Sequence, residues 1–381
     1  MSTVPPQPPV RFVSTEAEPR ERGREFGETW RGRVAATVAG YRDLFARGGV
    51  HDLAGPGADA LAAVERWAPE LAAEIRGIAE GAALPVTDVA AVNARTEILA
   101  GARGGGECST VVALGGPGAE PVAVQNWDWY AGLADNWLEW EIPQAEGRRT
   151  TTLTEFGVVG KIGVNDRGVG CLFNILHHRE DRPKGGVPVH VIARRLLDTA
   201  YTVTDALRTA GTAPVSASTT LTVVGGLAAG RTAIACELWP GGPGHVLPDA
   251  DGLLLHTNHF LTRPGSDGDT EPVTDPDTLV RYDVLRRALH GKGATLTTEA
   301  AVDALCDHTG GLCAHAPDDR PDAFRTLATV RIDFATRALH ITSGPPCLHR
   351  PEPHPGSGSG SGPGPETADP APSPEPTRSA A

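Results

Sequence analysis

The chain of 381 residues has no basic surplus, no long apolar run and no dense cysteine framework. Each absence closes off a class of protein. Lysine and arginine number 34 against 47 aspartates and glutamates, for a formal net charge of −13. No segment carries a basic stripe, so neither nucleic acid nor an anionic membrane is expected as a partner. No apolar run approaches the roughly 20 residues of a membrane helix. The Pro-rich start, Met1 to Val10, lacks the basic-then-apolar pattern of a secretory signal. The six cysteines (Cys108, Cys171, Cys236, Cys306, Cys313 and Cys347) are scattered, and 40% of the chain is hydrophobic. Such a chain can fold on its core without disulfides, so a reduced, cytoplasmic setting is expected.

What is present divides the chain into three. Between Glu16 and Ala100 apolar residues recur at three- and four-residue steps, as in Trp30, Val34, Val38, Tyr41, Leu44 and Phe45, which predicts helices. Thr87 or Asp88 is the expected cap of the last one. A Gly-rich stretch, Gly101 to Gly106, closes this helical third without the Lys-Ser/Thr ending of a phosphate cradle. From Cys108 short β-like runs take over: 109–114, 121–127, 151–156, 158–163, 221–224, 232–239 and 253–256. Helices are predicted at 188–199, 202–210 and 277–289, and a closing strand pair at 328–333 and 338–342. Hairpin-connected strands with fewer helices indicate α+β with antiparallel sheets, and there is no internal repeat. From Pro351 onward the chain is Pro, Gly, Ser and acid, too poor in apolar residues to offset its ordering entropy, so a disordered tail is expected over 351–381.

Three constellations can carry chemistry. Cys108 follows the Gly-rich stretch and heads a β-like run, the accessible placement a reactive thiol needs, whereas Cys171 and Cys236 lie inside apolar runs as small hydrophobes. In Gln125-Asn126-Trp127-Asp128-Trp129, strand alternation puts both tryptophans on one face and Asn126 with Asp128 on the other. In Leu253-Leu254-Leu255-His256-Thr257-Asn258-His259 an apolar strand runs into a polar cluster, where Asn258 is either a turn former or an oxyanion donor. Cys306, His308, Cys313 and His315 make a conceivable two-Cys, two-His metal set, as His256 and His259 make a pair. The spacing is not that of a common zinc motif, and no metal is expected.

The order of these pieces resembles the acyl-coenzyme A:6-aminopenicillanic acid acyltransferase family, cysteine N-terminal nucleophile hydrolases also classed as peptidase C45. The resemblance is carried by Pro69-Glu70-Leu71, Arg76-Gly77-Ile78-Ala79-Glu80-Gly81, Asn93-Ala94-Arg95-Thr96-Glu97, Glu107-Cys108-Ser109-Thr110, residues 125–129 and residues 256–259, and spans most of 20–347. It implies a four-layer αββα sandwich made as a precursor that cuts itself between Glu107 and Cys108. The products would be a helical fragment, 1–107, retained as a heterodimer with a catalytic fragment, 108–350, plus the tail. Where the penicillin-forming members carry glycine before the cysteine, this chain has Glu107. By the same resemblance Cys108 is the nucleophile, with its own α-amine as base. Asp128 orients that amine and Asn258 donates to the oxyanion. Ser109, Thr110 and Asn126 give support, and Asn93, Arg95 and Glu97 form a buried network that holds the segment before the cut.

The implied activity is cysteine amidohydrolysis or acyl transfer through a Cys108 thioester. The substrate would be a small-molecule N-acyl amide or an acyl-CoA, with no cofactor and with coenzyme A entering only as a substrate thioester. The alternative is a non-catalytic binding or scaffold relative that keeps the fold without cleavage, and a third is a Cys/His metalloprotein.

Overall fold

The computed structural model describes residues 9–100, 108–317 and 319–348. Glu107 and the tail 351–381 lie outside the described residues. The helical third is confirmed as α1 (Pro19–Thr29), α2 (Arg31–Arg47), α3 (Ala54–Trp67), α4 (Pro69–Ala82), α5 (Val86–Asn93) and α6 (Arg95–Leu99). It is preceded by a short strand, β1 (Arg11–Val13), too brief to show a pattern. Neither Thr87 nor Asp88 is the cap. Pro85 occupies that position, and Asp88 sits in the first turn, where Arg42 donates to its carboxylate at 2.6 Å.

The remaining strands are β2 (Ser109–Ala113), β3 (Val122–Tyr130), β4 (Trp137–Pro143), β5 (Arg149–Glu155), β6 (Ile162–Asn165), β7 (Val169–Ile175), β8 (Thr219–Gly225), β9 (Thr232–Trp239), β10 (Gly242–Val246), β11 (Leu253–His256), β12 (Phe324–Asp333) and β13 (Ala338–Ser343). The run expected as a strand over 158–163 becomes one only from Ile162; before that the chain crosses a buried loop. Helices α7 (Val189–Thr199), α8 (Val203–Gly211) and α11 (Asp277–Leu289) fall where expected. The four-residue α9 (Arg263–Ser266) and α10 (Glu271–Thr274) have no counterpart in the sequence reading, while the eight-residue α12 (Thr298–Leu305) stops where the sequence around Cys306 reads as a helix end before the Gly310-Gly311 loop.

The strands form two sheets, ordered β1-β4-β5-β6-β7-β8-β9-β10 and β11-β2-β3-β12-β13. Every pairing is antiparallel except β1 with β4. The sheets face one another. Gln125 of β3 reaches Phe173 of β7, donating to its carbonyl at 2.6 Å and accepting from its N–H at 3.0 Å. Alternation then sorts the side chains. Val111, Ala113 and Val124 leave the small sheet on its outer face and pack with Leu285, Leu289, Ala301 and Leu305 of α11 and α12. Cys108, Val112, Trp127 and Trp129 join the core between the sheets. On the outer face of the large sheet Asn165 donates its amide to the Leu197 and Ala200 carbonyls, tying down α7. Helix, sheet, sheet, helix is the order of layers.

The N-terminal helices are locked to this sandwich. Helices α1 and α4 meet through glycines: a Cβ at Gly23 would lie 2.2 Å from the Glu74 carbonyl oxygen, and one at Gly77 would lie 2.1 Å from that of Arg20. Only glycine permits that approach. A buried ion cluster then crosses from α1 and α4 to α7. Arg22 pairs with Glu74, Glu74 accepts from Arg194 at 2.7 Å, and Arg194 donates to Asp198 at 2.8 Å. Among the described residues no helix is long and apolar enough to cross a membrane.

Candidate active site

Cys108 stands at the head of β2, one step beyond the Ser109–Asn126 register pair, but it is not in the accessible placement expected: it is 2% exposed, packed into the core between the sheets. Its carbonyl oxygen is held from two sides, by Asn174 Nδ2 at 3.1 Å and an Arg281 guanidinium nitrogen at 3.2 Å. The thiol accepts from the backbone N–H of Asp128. Burial pushes this thiol up to about 11, Lys161 and Arg281 pull it down, and the Asp128 carboxylate pushes it up. Three charged side chains thus bear on one sulfur.

The sequence-derived candidates divide on inspection. Asp128 is fully buried and acts electrostatically on Cys108. Asn258 is fully buried and rigidly oriented. Its Oδ1 accepts from both terminal nitrogens of Arg281 at 3.1 Å, its Nδ2 donates to the Ile175 carbonyl at 2.9 Å, and its N–H donates to Thr278 Oγ1 at 2.9 Å. Ser109 Oγ accepts from Arg281 at 3.3 Å, and Thr110 Oγ1 donates to Asn174 Oδ1 at 2.7 Å. Both therefore touch the side chains that hold the Cys108 carbonyl. Asn126 faces elsewhere: it donates to the Leu305 and Leu312 carbonyls at 3.0 and 2.8 Å and accepts from Thr329 at 2.7 Å. With both amide hydrogens so engaged, it braces the loop after α12.

Asn93, Arg95 and Glu97 are buried as expected, but each binds a different part of the sandwich. Asn93 caps the 157–159 loop, donating to Gly157 and accepting from Val159. Arg95 donates to Glu155 at 2.9 Å, and Glu97 accepts from the Val189 N–H that opens α7 at 2.9 Å. Burial pushes Glu97 up to about 7, with that N–H opposing, and its second carboxyl oxygen has no hydrogen-bond partner. A carboxyl so raised adds stability below its unfolded value, which is lost as pH rises through about 7. Glu97→Gln is therefore expected to match the parent at pH 4 and to exceed it at pH 8, by about 3 kcal/mol. Urea denaturation at the two pH values checks this, and equal stability at pH 8 would refute it.

Three residues of the site escape local pattern. Arg281 belongs to the buried stripe Thr278, Arg281, Leu285, Leu289 of α11, and a guanidinium inside an apolar stripe must find partners. Asn174 interrupts the apolar run of β7. Lys161 is a lone lysine in Val158-Val159-Gly160-Lys161-Ile162. Its ammonium lies 3.7 Å from the Trp127 ring centroid and 3.9 Å from Glu155. Burial, with repulsion from Arg95, holds it well below the usual lysine range. Glu155 also accepts from Tyr41 and Arg95, so the N-terminal helices reach into the surroundings of Cys108.

The Cys/His candidates are assembled differently from the sequence-derived set. His256 accepts or donates at Glu237 and Thr220, and His259 at Thr278, so they do not share a ligand centre. His308, Cys313 and His315 do converge, and Cys347 joins them in place of Cys306.

Two face-to-face sheets between helical layers, with a cysteine heading an interior strand of the smaller one, make this a four-layer αββα sandwich. The chain belongs to the acyl-coenzyme A:6-aminopenicillanic acid acyl-transferase family, whose model matches residues 115–347. That span includes Asp128, Asn258 and Arg281 and begins just after Cys108. The chain is similar to the acyl-coenzyme A:6-aminopenicillanic-acid-acyltransferase 40 kDa form of Emericella nidulans, 29% identical over 304 residues, which cover 74% of this chain and 78% of that protein. Among solved structures it is similar to the Caenorhabditis elegans ortholog of N-acylethanolamine-hydrolyzing acid amidase (TM-score 0.43, 13% identity, 62% of this chain and 100% of that one). It is also similar to penicillin V acylase from Agrobacterium tumefaciens (TM-score 0.41, 14% identity, 62% and 83%).

Proposed function

We propose that this protein is a self-processing cysteine amidohydrolase or acyltransferase with Cys108 as its nucleophile. The observation that carries the reading is the surroundings of Cys108. Its carbonyl is pinned by Asn174 and Arg281, its thiol lies under the Asp128 amide, and Asn258 is fixed by the same arginine.

In the first step the thiol adds to the Glu107 carbonyl. The C–S bond forms, the C–N bond to Cys108 breaks, and the departing nitrogen takes a proton. Water then hydrolyses the thioester, leaving a carboxylate on Glu107 and an α-amine on Cys108. That amine, with an unperturbed pKa near 8, accepts the thiol proton in each later turnover, and Asp128 stabilises its charged form. The thiolate attacks the acyl carbonyl of an N-acyl amide or acyl-CoA, expelling amine or coenzyme A, and water or an amine takes the acyl group from sulfur. Asn258 is the side chain suited to donate to the oxyanion. The retained N-terminal fragment is supported by β1 in the large sheet and by the Arg95–Glu155 and Glu74–Arg194 pairs. A thiol nucleophile also suits a reducing compartment such as the cytoplasm.

Intact-mass spectrometry of the purified chain, before and after incubation with N-acyl amides and acyl-CoAs, tests this. Fragments 1–107 and 108–381 are expected, with an acyl mass added to the second. A chain that stays whole and takes no acyl group would favour the non-catalytic relative.

A further inference from the structure

A second cluster of ionisable side chains lies where the loop after α12 meets the turn after β13. Gly310 N–H donates to Asp307 Oδ1 at 2.8 Å and Gly311, at φ +76°, reverses the chain, so that His308 comes back over Cys313 and His315. Asn126 holds both ends of this loop through the Leu305 and Leu312 carbonyls. Ala314 exchanges backbone and side-chain hydrogen bonds with Thr326 of β12, both at 3.1 Å. Cys347 enters from the turn Pro346–Leu348.

The four ligating atoms lie within 4.8 Å of one another. His308 Nε2 is 3.2 Å from His315 Nε2 and 3.3 Å from Cys347 Sγ; His315 Nε2 is 3.3 Å from Cys347 Sγ and 3.5 Å from Cys313 Sγ. Hydrogen bonding does not account for this. A ring nitrogen carries one proton or one lone pair, yet His315 Nε2 has three close neighbours. A shared cation does. Zn–N of about 2.05 Å and Zn–S of about 2.3 Å at tetrahedral angles put two nitrogens about 3.3 Å apart and nitrogen and sulfur about 3.5 Å apart. The four edges given above fall within about 0.3 Å of those lengths.

We propose that His308, Cys313, His315 and Cys347 form a tetrahedral zinc site. The two thiols lose their protons on binding, so two thiolates and two neutral imidazoles leave the Zn²⁺ centre uncharged. Four protein ligands close the coordination sphere, so the metal is structural. It ties the C-terminal turn to the α12 loop, which Asn126 in turn links to the strand carrying Asp128. No step at Cys108 runs through it.

Metal analysis of the full-length chain, purified under reducing conditions from zinc-supplemented medium, is expected to find one zinc per chain. Exchange into Co²⁺ is expected to give the sulfur-to-cobalt charge-transfer bands and strong ligand-field bands of a tetrahedral site. Cys347→Ser and His308→Ala should lose the bound equivalent and lower Tm, with circular dichroism reporting whether each variant still folds. Three results would overturn the assignment. These are wild-type chain binding neither ion, zinc retained in both folded variants, or loss of two hydrogens in a Cys313–Cys347 peptide, which marks a disulfide instead.

Discussion

Cys108→Ala is expected to abolish turnover, lowering kcat/KM on the order of 10⁴-fold or more, and to leave the chain uncut and folded. The size of the effect follows from the chemistry. Removing the sulfur removes the atom that would form both proposed covalent bonds, and none of the neighbouring groups replaces it. Asn174, Arg281 and Asn258 donate hydrogen bonds but are not nucleophiles. The fold survives because the backbone contacts of Cys108 persist: its carbonyl is held through the peptide, not through the thiol. The small void left costs about 1 kcal/mol. Tm should therefore move little while activity and cleavage vanish together. Steady-state kinetics alongside denaturing electrophoresis checks it. An alanine variant that still cleaves or turns over would remove Cys108 from the mechanism.

Glu74→Leu is expected to destabilise the protein by about 3–5 kcal/mol, the largest effect anticipated outside the reacting centre. Glu74 is fully buried and neutralises two arginines that are themselves almost wholly buried. Burial alone would raise this carboxyl, but Arg194 and Arg22 outweigh it and hold it below the usual carboxylate range. Leucine fills the space yet strands both guanidinium groups. Arg22 keeps only the Ala17 and Pro143 carbonyls, and Arg194 keeps Asp198 and the Val159 carbonyl. Because the cluster joins α1 and α4 to α7, the loss also loosens the N-terminal helices from the sandwich. A depressed carboxyl contributes stability above its unfolded value near 4.5, and that part fades as pH falls through the lower folded value. The penalty for Glu74→Leu should thus shrink in acid. Urea denaturation at pH 7 and pH 4 measures both parts, and a penalty below 1 kcal/mol at pH 7 would refute the argument.

Much of the fold was legible because it rests on local period. Apolar residues at three- and four-residue steps specify α2 and α3 regardless of what they pack against. Alternation in β3 separates the tryptophans, which join the core between the sheets, from Asn126, which reaches the loop after α12. Short or locally unmarked pieces were not legible. The strand β1 has three residues and exists only because β4 offers it an edge. The 158–161 segment has strand composition, but Asn93 and Thr152 take its backbone donors at Val159 and Lys161 in place of a ladder.

The same division runs through the site. Sequence by itself determined that Cys108 heads a strand, that a polar cluster follows Leu255, and which family these pieces resemble. Only the tertiary structure decided what those residues touch. Stacking the two sheets brought Asn174 to Cys108, and packing α11 on the small sheet brought Arg281 to both Cys108 and Asn258. The burial of one loop set Lys161 against Trp127, and the C-terminal turn put Cys347, not Cys306, beside His308. A residue's period and burial are properties of its near neighbours along the chain. Its partner is a property of how layers close, over separations such as the 173 residues between Cys108 and Arg281.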